Sequence, residues 1–529
     1  MKKSKILLSI TALIGILWIT GCEDFLDKPI EGQVPSSDVN YADLSTMYMP
    51  VAGVYATCRS FRMISWADRC VDLFRGDFIV KGNGINNQPA METVLEKYQY
   101  NNADWFVYQP WDRDYAIVNK AETALLELNK FREFCTTPAE LALNDQYKAE
   151  VRFFRAVGYW RAARYYGDIC YFDKEIASLD LRLSPRSEAY AWIIGEIQDF
   201  RDDLPSEHPN QLEKNGQVTI HAANILLAKA AADVQDYATM EDAAGDIVTS
   251  GLFSLHPDYS EMLSVNGELG DENIFELQYY YINVDQTNTN IDQFYPCVGM
   301  STRITAKVPV LGNYRMQGGW GFGIPSKKYV DLMVARDDTI RLAKSIIYPE
   351  SWTPKGDSVG AMNSNIQALM DQYDAENLPN GVERAFIFKF FMESEDRTIE
   401  HRRYGGYNNI RIFRYADALL LYAEALVHNG GAGAGDVHFN LVRERAGLAP
   451  LTGATIDQII EERGIELAQE WGGDRFFDLV RLGKTSELGS NFTAGEDEFF
   501  PTPQAQIDNH PGLIEDPVSG LFPTTFGDE

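Results

Sequence analysis

The chain has 529 residues and a formal charge of −30 at pH 7. A protein this acidic repels nucleic acid and anionic lipid head groups and suits neutral or cationic ligands. Aromatic residues at 12% beside 23% charged residues argue against disorder and for a substantial core, in one large domain or two or three ordinary ones.

Lys2, Lys3 and Lys5 precede an apolar run from Ile6 to Ile19. A spanning helix needs roughly 20 apolar residues, so this run has the length and flanks of a secretory leader instead. It ends in Ile19-Thr20-Gly21-Cys22, which looks like a lipobox: a branched apolar residue, two small ones and a cysteine. A plain secretory signal with a chance cysteine is the weaker reading, because all four positions fit. Residues 1–21 are therefore expected to be a lipoprotein signal peptide, and Cys22 the lipid-anchored start of the mature chain. No later segment is long and apolar enough to span a bilayer. Five further cysteines, Cys58, Cys70, Cys135, Cys170 and Cys297, form no CxxC motif. Cys58 and Cys70 could pair in an oxidising compartment, but buried free thiols fit each as well.

The spacing predicts helices in chain order. WDRDYAIVNKAETALLEL opens with Trp111 and Tyr115 on a core-facing side. Residues 146–166 carry Tyr147, Val151, Phe154, Trp160 and Tyr165 at three-and-four spacing and stop at Gly167. A further amphipathic segment runs from Ser187 to Leu204, before Pro205. Residues 221–251 and 414–447 resemble each other: Ala223, Leu226, Leu227, Ala230 and Val234 match Ala416, Leu419, Leu420, Ala423 and Val427 at a constant offset. Each reads as a helix–turn–helix of tetratricopeptide type, which must stack to bury its apolar face. Residues 98–115, 279–323 and 345–383 read as irregular, the first two rich in aromatics. Long loops in compact domains are usually functional.

Catalytic motifs are missing. Gly483-Lys484-Thr485 would need a glycine at Asp478 to be a P-loop. The glycines at 431–435 and 319–323 each lack the last glycine of a dinucleotide motif. There is no GxSxG, no HExxH and no histidine pair at metal-binding spacing. Glu462, Glu466 and Glu470 share one helix face, where like charges repel. Arg443, Arg445, Arg463, Arg475 and Arg481 are near in sequence, so a structural ion-pair network is the better reading than a glycosidase centre. Aromatic side chains in polar loops suit the C–H face of a sugar ring, with neighbouring acids, amides and arginines on its hydroxyls. The candidate ligand-binding residues on this basis are Trp66, Asp68, Asp77, Tyr295, Arg315 and Trp320. A purely scaffolding role competes for each of the aromatics.

Taken together, CEDFLDKP after the lipobox, WDRDYAIVNKAETAL, AEVRFFRAVGYWRAARYYGDI, ENIFELQY, RYADALLLYAEAL, LVRERAGLAPL, IIEERGIELAQEWGGDRFFDLVRLGK and FFPTPQAQIDNHPGL resemble the SusD/RagB-like nutrient-binding lipoproteins. The tail IEDPVSGLFPTTFGDE departs from the family pattern. The resemblance implies a mainly α fold, a tetratricopeptide-like helical scaffold with long irregular loops and a few short strands. It implies an N-terminal half over 22–270 and a C-terminal half over 271–529 within one compact domain. It also implies an outer-membrane lipoprotein facing the cell exterior that binds glycans or oligosaccharides, or peptides in some branches. Such a protein would deliver its ligand to a SusC-like TonB-dependent transporter and would not cleave it. Neither nucleic acid nor a cofactor is expected, and the sequence leaves open a calcium ion in a loop.

Overall fold

Local chemistry sets the helix ends. The computed structural model describes residues 39–63, 66–81, 89–172, 181–259, 261–279, 323–347, 386–387, 389, 408–471, 474–524 and 526. Helix α1 (Met49–Thr57) continues as a π-helical turn, Cys58–Arg62, and is followed by α2 (Trp66–Phe74) and α3 (Pro89–Glu96). The long pair α4 (Trp105–Arg132) and α5 (Pro138–Tyr166) comes next. Thr137 and Glu140 close a capping box on α5, and Gly167 at φ +74° ends it, as the sequence predicts. Then come α6 (Arg186–Phe200), α7 (Ile220–Asp233) and α8 (Tyr237–Thr249). The second half holds α9 (Lys327–Ala335), α10 (Thr339–Ser345), α11 (Tyr415–Gly430), α12 (Asp436–Arg445), α13 (Ile456–Glu466), α14 (Asp474–Arg481) and α15 (Gln504–Asn509). Among the described residues no helix is long and apolar enough to cross a membrane.

The two similar segments fold as the hairpins α7–α8 and α11–α12, and α8 packs on α11, so the hairpins stack. Small residues permit the close approaches. A Cβ on Gly435, at the start of α12, would come within 2.4 Å of the Ala423 carbonyl oxygen on α11. Tyr237 and His428 stack across α8 and α11 with ring centres 3.6 Å apart.

One expectation needs correction. Residues 98–115 are not a long loop. Helix α4 begins at Trp105, and Phe106 and Trp111 lie in the core. The C-terminal part of α5 has no wet face. All residues from Tyr147 to Tyr166 are buried, because α4, α6, α7 and α1 surround it. Its charged residues are neutralised in place. Arg152 and Arg155 bind Glu196, Arg161 binds Asp114, and Arg164 binds Asp233 and Asp474. Cys58 and Cys70 are buried free thiols, not a disulfide.

Glu462, Glu466 and Glu470 form the structural ion-pair network expected of them. Glu462 binds Arg336, Arg341 and Arg443, while Glu466 binds Arg341, Arg414 and Arg445. Glu470 accepts from Arg414 and Lys389. Burial would raise all three carboxyls, but the surrounding cations hold them below the usual range. Of the five arginines proposed as partners, Arg443 and Arg445 serve this triad. Arg463 and Arg481 neutralise Asp417, Asp474, Asp478 and Glu424, and Arg475 binds Asp77. Arg341 and Arg414, which bridge the triad, come from distant elements.

Candidate ligand-binding site

Three two-stranded antiparallel sheets hold the ends of the irregular segments. Strand β1 (Ile79–Lys81) pairs with β3 (Gly323–Pro325), β2 (Asn273–Leu277) with β6 (Ile410–Arg414), and β4 (Ile346–Ile347) with β5 (Phe386–Ile387). Lys81 stands opposite Gly323, so the exit of β1 lies beside the chain returning from 280–322. Leu277 stands opposite Ile410, so the start of that segment lies beside the chain returning from 390–407. Pairing satisfies the backbone groups at each stem and sets where the intervening chain leaves the scaffold.

Helix α2 lies below this collar and packs on α4 and β1. Asp68, on its inner face, is 3% exposed and accepts from Arg113 at 2.7 Å, with Arg161 at 3.9 Å. Asp72, one turn on, accepts the Tyr165 hydroxyl at 2.5 Å, and burial pushes its carboxyl up to about 6. Burial likewise pushes Asp114 up to about 8 despite Arg161 at 2.7 Å. Asp77 receives both Arg475 donors at 2.9 Å and Lys328 at 2.6 Å. Burial opposes its charge, yet these two cations hold it below the usual range. Asp68 and Asp77 thus spend their charge on intramolecular partners at the foot of the collar. Trp66 is the first residue of α2. Tyr295, Arg315 and Trp320 lie outside the described residues, as do Cys22 and Cys297.

A cleft of about 220 Å³ opens beside the collar. Its walls are α1 and the π-helical turn, the 214–217 loop, and the end of β2. Behind the wall, Glu150 accepts the Tyr55 hydroxyl at 2.8 Å and Gln217 Nε2 at 2.9 Å. The Tyr55 oxygen also accepts the Val218 amide at 2.8 Å. Burial raises Glu150 to about 7, against the hydrogen bonds and the charge of Lys214. The Lys214 ammonium lies 4.7 Å from the centre of the Tyr48 ring. Gly216 adopts φ +80°, and a Cβ there would sit 1.7 Å from Gln278 Nε2, so only glycine admits that side chain. Tyr279, the last described residue before 280–322, donates its hydroxyl to the Arg59 carbonyl at 3.3 Å. The cleft is therefore at the root of the aromatic segment. Sequence reasoning missed Tyr48, Arg59, Lys214, Gln217 and Gln278, because they come from three distant stretches with no shared local pattern. Among the described residues no cluster of histidine, cysteine or acidic side chains is placed to hold a metal ion.

The model of the SusD family matches residues 271–518. Over residues 271–518 the chain thus matches the SusD family. It is 24% identical to SusD-like protein P2 of Formosa agariphila, across 97% of this chain and 99% of that protein. It is also 24% identical to the starch-binding protein SusD of Bacteroides thetaiotaomicron, across 70% of this chain and 72% of that one. Two solved structures share the fold. Surface glycan-binding protein A from B. thetaiotaomicron, in complex with laminarihexaose, aligns at a TM-score of 0.70 and 21% identity, covering 88% of this chain and 98% of that one. A laminarin-binding SusD-like protein aligns at 0.71 and 20% identity, covering 89% and 99%. The mainly helical SusD-like architecture is thus the one expected from the sequence.

Proposed function

We propose that this protein is a non-catalytic, lipid-anchored surface protein that binds glycans or oligosaccharides and delivers them to a SusC-like TonB-dependent transporter in the outer membrane. The observation that carries the reading is the collar. On a SusD-like scaffold, β2 pairing with β6 and β3 pairing with β1 hold the two ends of the segment with Tyr295, Arg315 and Trp320. Trp66 begins the helix beneath them. Flat aromatic rings stacking on sugar, with amides and charged groups on its hydroxyls, need only positioning and no chemistry. The solved relative bound to laminarihexaose and the starch-binding relative support a glycan as ligand. The lipobox at Cys22 supports the anchor.

Affinity electrophoresis of the purified protein through gels cast with a panel of polysaccharides tests the binding. Retardation is expected with at least one glycan and is lost when Trp66, Tyr295 and Trp320 are replaced together by alanine. Binding to peptides with no retardation by any glycan would replace this reading with a peptide-binding one, and release of reducing sugar would make the protein a hydrolase. Co-purification of a TonB-dependent transporter with the detergent-extracted protein tests delivery. Cys22→Ala is expected to move the protein out of the membrane fraction, and unchanged fractionation overturns the anchor.

A further inference from the structure

The cleft beside the collar runs against the charge of the chain. In a protein of net −30, its mouth is flanked by Arg59 and Lys214. The carboxylates nearby, Glu276 in its wall and Glu150 behind it, are already hydrogen-bonded. Glu276 accepts the Leu269 amide at 3.0 Å and Asn409 Nδ2 at 2.8 Å, with Arg411 at 3.4 Å. Glu150 accepts Tyr55 and Gln217 from neutral donors. Lys214 has no carboxylate within ion-pair distance among the described residues, and its ammonium is instead held on the Tyr48 ring. A partly desolvated cation on an aromatic face, with the Glu150 carboxyl that feels its charge already hydrogen-bonded behind the wall, is a ready partner for an external anion.

Size and polarity narrow the class further. At about 220 Å³ the cleft is smaller than the roughly 300–1,000 Å³ of drug-sized sites, and so takes a group of single-ring size. Its walls mix the tyrosines with amide side chains. Gln278 spends Nε2 on the Asn215 carbonyl at 2.6 Å and makes no further hydrogen bond through its side-chain oxygen among the described residues. An acceptor in that position suits a hydroxyl.

We propose that this cleft binds a sugar unit bearing an anionic group, a uronate carboxylate or a sulfate ester, with the anion on Lys214 and a ring hydroxyl on Gln278. The sugar in this assignment rests on the glycan-binding reading above, and the anion rests on the cleft alone. Because Tyr279 ties the cleft lip to the start of the 280–322 segment, a charged branch or neighbouring unit of a glycan held at the collar would reach it.

Calorimetry with three tetrameric or shorter probes tests this: an oligogalacturonate, a sulfated disaccharide and laminaritetraose. One of the two acidic probes is expected to bind at least ten-fold tighter than the neutral one at low salt, and to weaken steeply as salt rises, because partly exposed charges are screened. Which of the two wins identifies carboxylate or sulfate as the group recognised. Lys214→Met should lose about ten-fold for the acidic probe and nothing for the neutral one, and Lys214→Arg should restore it. Thermal melts of both variants establish that they fold. If Lys214→Met binds the acidic probe like the parent, or if neutral and acidic probes bind alike, the cleft assignment falls while glycan binding stands. If no probe and no polysaccharide binds at all, both fall.

Discussion

Arg414 and Glu470 meet fork to fork, with Nε on Oε2 at 2.7 Å and Nη2 on Oε1 at 2.7 Å, both groups buried. The remaining guanidinium nitrogen reaches Glu272 at 2.8 Å and Glu466 at 2.6 Å. One side chain at the end of β6 therefore neutralises three acids, one just before β2, one at the end of α13 and one in the turn after it. The same strand pairs with β2, from which the 280–322 segment departs, so the network fixes the foot of the collar.

Removing that cation leaves buried carboxylates uncompensated. Arg414→Met is expected to cost about 3–5 kcal/mol, as breaking a buried pair from one side does. Adding Glu470→Gln, at the carboxylate that meets Arg414 fork to fork, should recover part of it, whereas adding Glu466→Gln should not, because Arg341 and Arg445 also depend on that charge. Denaturant unfolding of the single variant and the two double variants checks this. A single variant as stable as the parent would show that the network is dispensable.

Acid should dismantle the same network. Glu462, Glu466 and Glu470 are held below their ordinary value by the arginines, although burial alone would raise them. The unfolded chain then binds more protons than the folded one as pH drops past about 4.3, the ordinary glutamate value. Their contribution is complete above that pH and is lost progressively below it. The denaturation midpoint, followed from pH 6 down to pH 2, should fall steeply only under about pH 4.

Glu150 has the opposite sign. Burial raises it from 4.5 to about 7, so the folded state holds a proton that the unfolded state releases between those values. Its stabilising contribution is complete below pH 4.5 and disappears as pH rises to about 7. Glu150→Gln keeps the shape and can still accept from Tyr55. At pH 8 it should be more stable than the parent by about 2–3 kcal/mol, and at pH 4 equal to it. Melting temperatures at the two pH values separate these outcomes.

Gly158 sets the spacing of α4 and α5. A Cβ there would lie 2.8 Å from Val118 Cγ2 and 2.9 Å from the Asp114 carbonyl oxygen. Backbone cannot yield as a flexible side chain can, so Gly158→Ala should destabilise by about 1–3 kcal/mol. That is the reverse of the gain usually expected when a helical glycine becomes alanine. The variant's unfolding midpoint gives the sign directly.

The tail, whose sequence departs from the family pattern, is strapped to the scaffold. Phe522 is 5% exposed and packs with ring centres 5.6 Å from Tyr159, 5.2 Å from Tyr171 and 5.7 Å from Trp192. Val518 donates to the Leu183 carbonyl at 2.8 Å and Gly520 to Glu188 at 2.7 Å. Phe522→Ala should cost about 2–4 kcal/mol, near the lower end for a buried phenylalanine because a terminal strap can peel away. Red-shifted tryptophan emission at unchanged helicity would report the opened cage around Trp192.

The sequence by itself determined what depends on near neighbours. The hairpins α7–α8 and α11–α12, the stop at Gly167, the core positions of Trp111 and Trp160, and the structural role of Glu462, Glu466 and Glu470 were all legible. Each rests on a helical period or on spacing within a turn or two. Tertiary structure alone decided the rest. Residue spacing reports which face of a helix is apolar, not how many neighbours surround it, so it does not show that α5 is buried on every side from Tyr147 to Tyr166. Charge partners follow no local rule: Arg164 finds Asp474 from 310 residues away, and Asp77 finds Arg475 from 398. Asp68 and Asp77 looked available for ligand because their partners are unseen at sequence distance. The cleft was invisible for the same reason. Its polar groups acquire a common purpose only where α1, the 214–217 loop and the end of β2 are brought together, and that convergence is a property of packing, which no single stretch of chain encodes.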